Sequence, residues 1–225
     1  MKSKIEEKRE FFVSEILRWY EKNGEFYPWR TEKDPFKILL SEILLRKTDR
    51  KKVAVVYPKI SEYFGSPIKI VNTDIEKLEE FLKPLGLYKE RARQLKQGAE
   101  FILNKFDGRI PENLNDLLKI PGVGKYTANA VLCFAYKKNV PLIDANLIRI
   151  LKRFFNLTPN KSRERDDPMF WKFINDIIPT DNIKEFYYGI LDFSNQICRP
   201  KNPKCAECPL ITFCSYYKMH RKFRD

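Results

Sequence analysis

The amino-acid sequence predicts an all-α fold. Apolar residues recur at helical spacing along almost the whole chain, helix-start and helix-stop residues punctuate that spacing, and strict period-two alternation is nowhere sustained. With 225 residues and 43% hydrophobic content the chain can bury a substantial core. No internal repeat or low-complexity linker interrupts it, so the residues by themselves read as one compact unit.

The first helix spans residues 5–20, with Phe12, Ile16, Trp19 and Tyr20 on one face and Asn23-Gly24 as its stop. Asp34 followed by Pro35 reads as N-cap and first helical residue, opening a helix through Phe36, Leu39, Leu40, Ile43 and Leu44 that also contains Glu42. Residues 50–64 form a further helical stretch. Thr73 with Glu76 three residues on fits a capping box ahead of Leu78, Phe81 and Leu82. Leu85-Gly86-Leu87-Tyr88 is a break, after which residues 90–106 resume the helical pattern. Residues 117–120 close another, Pro121-Gly122-Val123-Gly124 forces a tight turn, and residues 125–134 form the next helix. Asp144 precedes a helix over 145–154, Pro168 and Pro179 bracket one more, and a last helix runs from about 183 to 197.

Forty-three basic residues against 30 acidic ones leave a formal charge of +13, which favours a polyanionic partner. The amino terminus lacks the apolar core of a signal peptide, and no apolar run approaches the roughly 18 residues of a membrane span. A soluble intracellular protein is expected.

Two glycines around one apolar residue let a ligand approach the backbone of the 121–124 turn. The helix start behind it presents unpaired N–H groups and a positive dipole end, for which phosphate is the natural occupant. An ordinary interhelical turn is the alternative that this short motif leaves open.

Cys198, Cys205, Cys208 and Cys214 are spaced C-x6-C-x2-C-x5-C in a loop stiffened by Pro200, Pro203 and Pro209. Four thiolates without a nearby histidine suit either a four-cysteine zinc site or an iron–sulfur cluster. Cys133, within an apolar helix, reads as a small core residue.

Four segments in order, SEILLRKT, KIPGVGKYTANAV, IDANLIRILKR and the cysteine array, resemble the helix-hairpin-helix DNA glycosylases related to endonuclease III and the MutY-type adenine glycosylases. The resemblance covers residues 27–214. It implies a two-lobed all-α fold, with a six-helix lobe over 29–140 bearing the hairpin. The second lobe is 1–28 plus 141–225, holding a [4Fe–4S] cluster on the loop 198–214, and a cleft separates the two.

The same resemblance makes Asp144 the catalytic carboxylate. Breaking an N-glycosidic bond builds positive charge on the sugar, which a fixed carboxylate stabilises. Asp144 is also a natural N-cap for the helix that follows, and the roles are compatible. Tyr126 stands where endonuclease III-type enzymes carry a Schiff-base lysine, and a phenol cannot form that imine. A monofunctional enzyme using water is therefore expected, with the adjacent Lys125 facing phosphate. Glu42 matches the glutamate that MutY-type enzymes use as an acid on the leaving base, although a solvated helix charge is its ordinary reading. The hairpin residues Gly122, Val123 and Gly124 position DNA.

MutY-type enzymes carry Gln-Gln-Thr where this chain has Arg46-Lys47-Thr48, and add a carboxyl-terminal domain where only eleven residues follow the cysteines. Those departures and Tyr126 resemble the archaeal mismatch-specific thymine glycosylases. The expectation is excision of thymine or uracil opposite guanine, from double-stranded DNA carrying the mismatch. The resemblance implies a monomeric, cytoplasmic, nucleoid-associated enzyme of a prokaryote. Arg46 would read the orphan guanine, Leu87 would wedge into the duplex, and Asn146 would orient water or sugar. An adenine or broad-mismatch glycosylase is the alternative enzyme, and a non-catalytic DNA-binding module the alternative of another class.

Overall fold

The computed structural model describes residues 3–221, in which twelve α-helices and short 3-10 turns provide all the regular structure; there is no strand among the described residues. The chain divides into two compact units, where helical periodicity alone suggested one. Periodicity registers which face of a helix is buried but not which helices share a core. Described residues up to Glu25 and from Asn139 onward make unit 1, and Phe26–Lys138 make unit 2. No helix among the described residues is long and apolar enough to cross a membrane.

The chain enters through α1 (Lys4–Asn23), whose Ser3 and Glu6 form a reciprocal capping box. Its apolar stripe of Phe12, Ile16 and Trp19 is buried in unit 1.

Unit 2 follows. Asp34 caps α2 (Pro35–Leu45) by accepting the Lys37 N–H at 3.0 Å, and Pro35 occupies the first helical position as its missing donor allows. Eight consecutive-face residues of α2, Phe36 and Ile38 to Leu44, are buried, including Ser41 and Glu42. Such all-round burial makes α2 the central helix of the unit, packed on α3 (Arg50–Tyr63) and on α8 (Lys125–Phe134). Between them lie α4 (Pro67–Val71), α5 (Ile75–Leu82), α6 (Tyr88–Phe106) and α7 (Leu114–Leu117). Both α4 and α5 pack along α6.

Two local expectations are corrected. The Thr73/Glu76 capping box does not form: α5 starts behind Asp74 with no side-chain cap. The Thr73 hydroxyl instead donates to the Lys69 carbonyl at 2.7 Å, drawn back by the end of α4, a helix too short to register as a period. Likewise α7 ends at Leu117 rather than at Ile120, because Lys119 and Ile120 donate to carbonyls only three residues back and tighten into turns.

Unit 1 resumes with α9 (Ala145–Phe155), α10 (Pro168–Asn175), α11 (Ile183–Gln196) and α12 (Ser215–Arg221). The sequence pattern gave no sign of α12, which has fewer than two full turns. Its core is aromatic: Phe12 lies 5.2 Å from Phe154, and Phe155 stacks edge-on against both Phe154 and Phe173 at under 5 Å between centroids. α11 lies along α1, with Trp19 edge-to-face on Phe193 at 5.3 Å.

Candidate active-site residues

In unit 2 the hairpin joins α7 to α8. Gly122 has φ +80°, a left-handed conformation that only glycine adopts without strain, and its neighbour Val123 is buried. Gly124 is the N-cap of α8 and contributes no side chain, so the first turn of a ten-residue helix is left without a side-chain cap. Open space surrounds the position a Cβ would take on Gly124. Lys125 is exposed and Tyr126 half-buried at this helix start, while Thr127 to Phe134 are buried and Cys133 sits in the core as expected. The geometry suits an anion approaching the N–H groups of α8.

Glu42 is 9% exposed, so the solvated-charge reading does not describe it. One turn on, Arg46 leaves the end of α2. Its Nη2 donates to the Gly122 carbonyl at 2.6 Å and its Nη1 to Gln94 Oε1 at 3.3 Å. Gln94 is itself fixed by donating to Glu90 at 2.6 Å. Burial works against the charge of Arg46 and lowers its pKa, and the field of Glu42 opposes that effect. Leu87 is 63% exposed and left-handed at φ 51°. A bulky apolar side chain held in solvent on a left-handed backbone is costly to folding.

In unit 1 Asp144 caps α9. Its Oδ1 accepts the Leu147 N–H and its Oδ2 the Asn146 side-chain amide, each at 2.8 Å. Asn146 accepts from Arg149 at 3.1 Å, and Arg149 donates onward to the Cys198 and Ser194 carbonyls. The chain entering α9 is pinned by the Tyr187 hydroxyl, which accepts from the Leu142 N–H at 3.0 Å and donates to the Val140 carbonyl at 3.1 Å. Asp144 is half-buried. Desolvation raises its pKa, against the pull of Leu147, Asn146 and Arg149. Sequence reading named Asn146 but missed Arg149 and Tyr187. An arginine three residues beyond Asn146 on one helix face was the available signal for the first, and nothing in the sequence marked the second.

The four clustered cysteines are half-buried and form no disulfide among the described residues. Burial, then the fields of Cys198, Cys214 and Cys205, push the Cys208 thiol up to about 12. Arg153 on α9 reaches the loop, placing Nη1 3.5 Å from Cys198 Sγ and 2.7 Å from the Arg199 carbonyl. Among the described residues no three His, Cys, Asp or Glu side chains gather around one point as ligands of a single metal ion.

Comparisons with known proteins bear on the family of the chain. A thymine/uracil-DNA glycosylase of Methanothermobacter thermautotrophicus is 36% identical over 94% of this chain and 95% of its own length. A thymine-DNA glycosylase of Aeropyrum pernix is 38% identical over 90% of this chain and 92% of its own. The solved structure of a thermostable thymine-DNA glycosylase matches with a TM-score of 0.92 at 35% identity, over 96% of this chain and 100% of that one. Residues 40–175 match the family described as HhH-GPD superfamily base excision DNA repair protein, and the chain belongs to that superfamily.

Proposed function

We infer that this protein is a monofunctional DNA glycosylase of base excision repair, which flips thymine or uracil mispaired with guanine out of the duplex and hydrolyses its N-glycosidic bond. The observation that carries this reading is the Asp144 carboxylate, held by the Leu147 N–H and the Asn146 amide at the head of α9, in a chain whose near full-length relatives bear thymine or uracil glycosylase names. As the N-glycosidic bond breaks and the base departs with the electron pair, positive charge grows on the sugar and Asp144 stabilises it; water, oriented by the same carboxylate, then bonds to C1′ and gives up a proton, the base taking one up in turn. Tyr126, at the slot where a Schiff-base lysine would act, leaves the enzyme without that amine. Glu42, buried on α2 with its charge felt by Arg46, hydrogen-bonds the base and assists its departure. The hairpin and Lys125 take a backbone phosphate, Arg46 reads the orphan guanine and Leu87 fills the vacated stack. In this reading the two-lobed arrangement with boundaries near 28 and 140 corresponds to units 1 and 2.

The cysteine loop fits a [4Fe–4S] cluster. A lone zinc would need all four sulfurs about 2.3 Å from one point, whereas each thiolate of a cluster takes its own iron. Four cysteines on one short loop that contains no histidine make an all-thiolate donor set, which suits such a cluster. Cys198, Cys205, Cys208 and Cys214 would hold the group, which supplies a structural cross-link and a one-electron couple.

The test is a panel of duplexes containing T·G, U·G, T·A, A·G and A opposite 8-oxoguanine, analysed with and without alkali. Thymine and uracil opposite guanine should be released, with strand breaks only after alkali and no borohydride-trapped adduct. Release of adenine with T·G untouched would overturn the base assignment, and trapping by borohydride would show an amine at work.

A further inference from the structure

The end of α2 is closed in an unusual way. Arg46, at its carboxyl end, offers no backbone N–H back to the helix, and the chain turns at Lys47 with φ 51°. The orphan carbonyls are taken instead by Arg91 of α6, which is 5% exposed. Its Nη1 donates to the Ile43 and Leu44 carbonyls, and its Nη2 to the Arg46 carbonyl at 3.1 Å and the Thr48 hydroxyl at 2.9 Å. The Thr48 hydroxyl lies 3.1 Å from the Arg46 carbonyl and 3.3 Å from that of Leu85, two residues before Leu87. One guanidinium thus joins the Arg46 elbow to the Leu85–Leu87 turn.

This is a costly way to cap a helix. A glycine or a water-exposed turn would satisfy the same carbonyls without burying a cation. Burial lowers the pKa of Arg91, and the nearby charge of Arg46 lowers it further, so the two guanidiniums repel. One turn along α6, Gln94 accepts from Arg46, and Leu87 is the N-cap of the same helix. Both side chains assigned to probe the duplex are therefore fastened to the first two turns of α6.

We propose that Arg91 is a positioning residue for opposite-base discrimination, which through Thr48 locks the Arg46 elbow and the Leu87 turn into one rigid frame. The proposal rests on the assignment of Arg46 and Leu87 given above. If the frame loosens, the wedge still enters the duplex but Arg46 no longer arrives in register with the base it reads. Arg91 itself touches no DNA in this account.

The test compares single-turnover uracil excision from U·G and U·A duplexes for Arg91→Met, Arg91→Lys, Thr48→Val and Arg46→Ala. Thermal unfolding of each variant is followed in parallel. Arg91→Met and Thr48→Val should each lower the U·G to U·A rate ratio about tenfold, the size of one lost base-reading contact. Arg91→Lys, which keeps a charge at the carbonyls but has no fork to span them and Thr48, should fall between. A melting temperature lowered by Arg91→Met with the ratio intact, alongside a ratio lost in Arg46→Ala, would show that Arg91 is only a structural cap and overturn the proposal. A ratio intact in Arg46→Ala would overturn the reading of Arg46 itself, and the proposal with it. Should Arg91→Met not fold, Thr48→Val decides: an unchanged ratio there also rejects the frame.

Discussion

Asp144 shows what a single residue contributes and what it costs. Its carboxylate caps α9 in the ordinary way, which stabilises a helix start by about 1 kcal/mol. Its enclosure works in the other direction, raising its pKa through desolvation. Between the unfolded and the folded pKa the native protein binds the Asp144 proton more tightly than the unfolded chain does. Stability from this group is therefore present below the unfolded value and lost as pH rises through the folded one. Asp144→Asn removes the titration while keeping an oxygen for the cap. We predict that the melting temperature of Asp144→Asn relative to wild type climbs as pH goes from mildly acidic to neutral, by about 2–4 °C for each kcal/mol involved. Calorimetry at several pH values measures this, and a difference that stays flat with pH would show that the carboxyl is not shifted. The same variant should lose excision by several orders of magnitude, since no charge is then left to meet the oxocarbenium-like state. Stability gained where activity is lost is the expected signature of a site shaped for reaction rather than for folding.

At the scale of elements, the sequence was most legible where a cap and a long apolar stripe agree. Asp34-Pro35 fixed the start of α2 to the residue, the hairpin fixed the start of α8, and Asp144 that of α9. It failed where helices are short. Thr73 looked like a cap because Glu76 stands three residues away, yet α4 ends close enough for its Lys69 carbonyl to draw the hydroxyl back. Burial was equally hidden. Arg91 and Arg93 alternate along α6 and read alike in the sequence, but only the first is buried against carbonyls, while the second sits in solvent beside Glu90. The polar residues that fix the candidate side chains within each unit, Arg91 and Gln94 in unit 2 and Arg149 and Tyr187 in unit 1, have partners more than 40 residues away, and no local pattern reports those. The contrast between caps is itself testable. Asp34→Ala should cost about 1 kcal/mol, because its carboxylate holds the Lys37 N–H. Asp74→Ala should be close to neutral, because Asp74 makes no side-chain cap bond. Denaturant unfolding of the two variants measures the pair; equal losses would mean that the two helix starts are not held differently.

For the whole molecule the charge is the governing quantity. A surplus of +13 is more than solubility requires of a chain of 225 residues, and exposed cations include Lys47, Lys51 and Lys125 at or near helix starts. Lys51 lies in the first turn of α3 behind Asp49, and a positive side chain there opposes the helix dipole, an arrangement that a polyanion would relieve. Each phosphate neutralised on DNA releases counterions, giving a slope of about −0.9 in log affinity against log salt. If six or more cations engage phosphate, binding to a mismatched duplex should weaken by about a thousandfold or more between 50 and 200 mM salt. That loss should be shared by matched DNA, because the term carries no sequence information. Lys125→Ala should therefore reduce the salt slope by about one and weaken matched and mismatched duplexes alike, whereas Arg46→Ala should act on the mismatch preference and leave the slope nearly unchanged. Fluorescence anisotropy titrations at four salt concentrations separate the two. A Lys125→Ala variant that altered the mismatch preference while keeping the wild-type slope would mean that the hairpin reads bases, and the division of labour between the phosphate-binding helix start and the base-reading elbow would have to be abandoned.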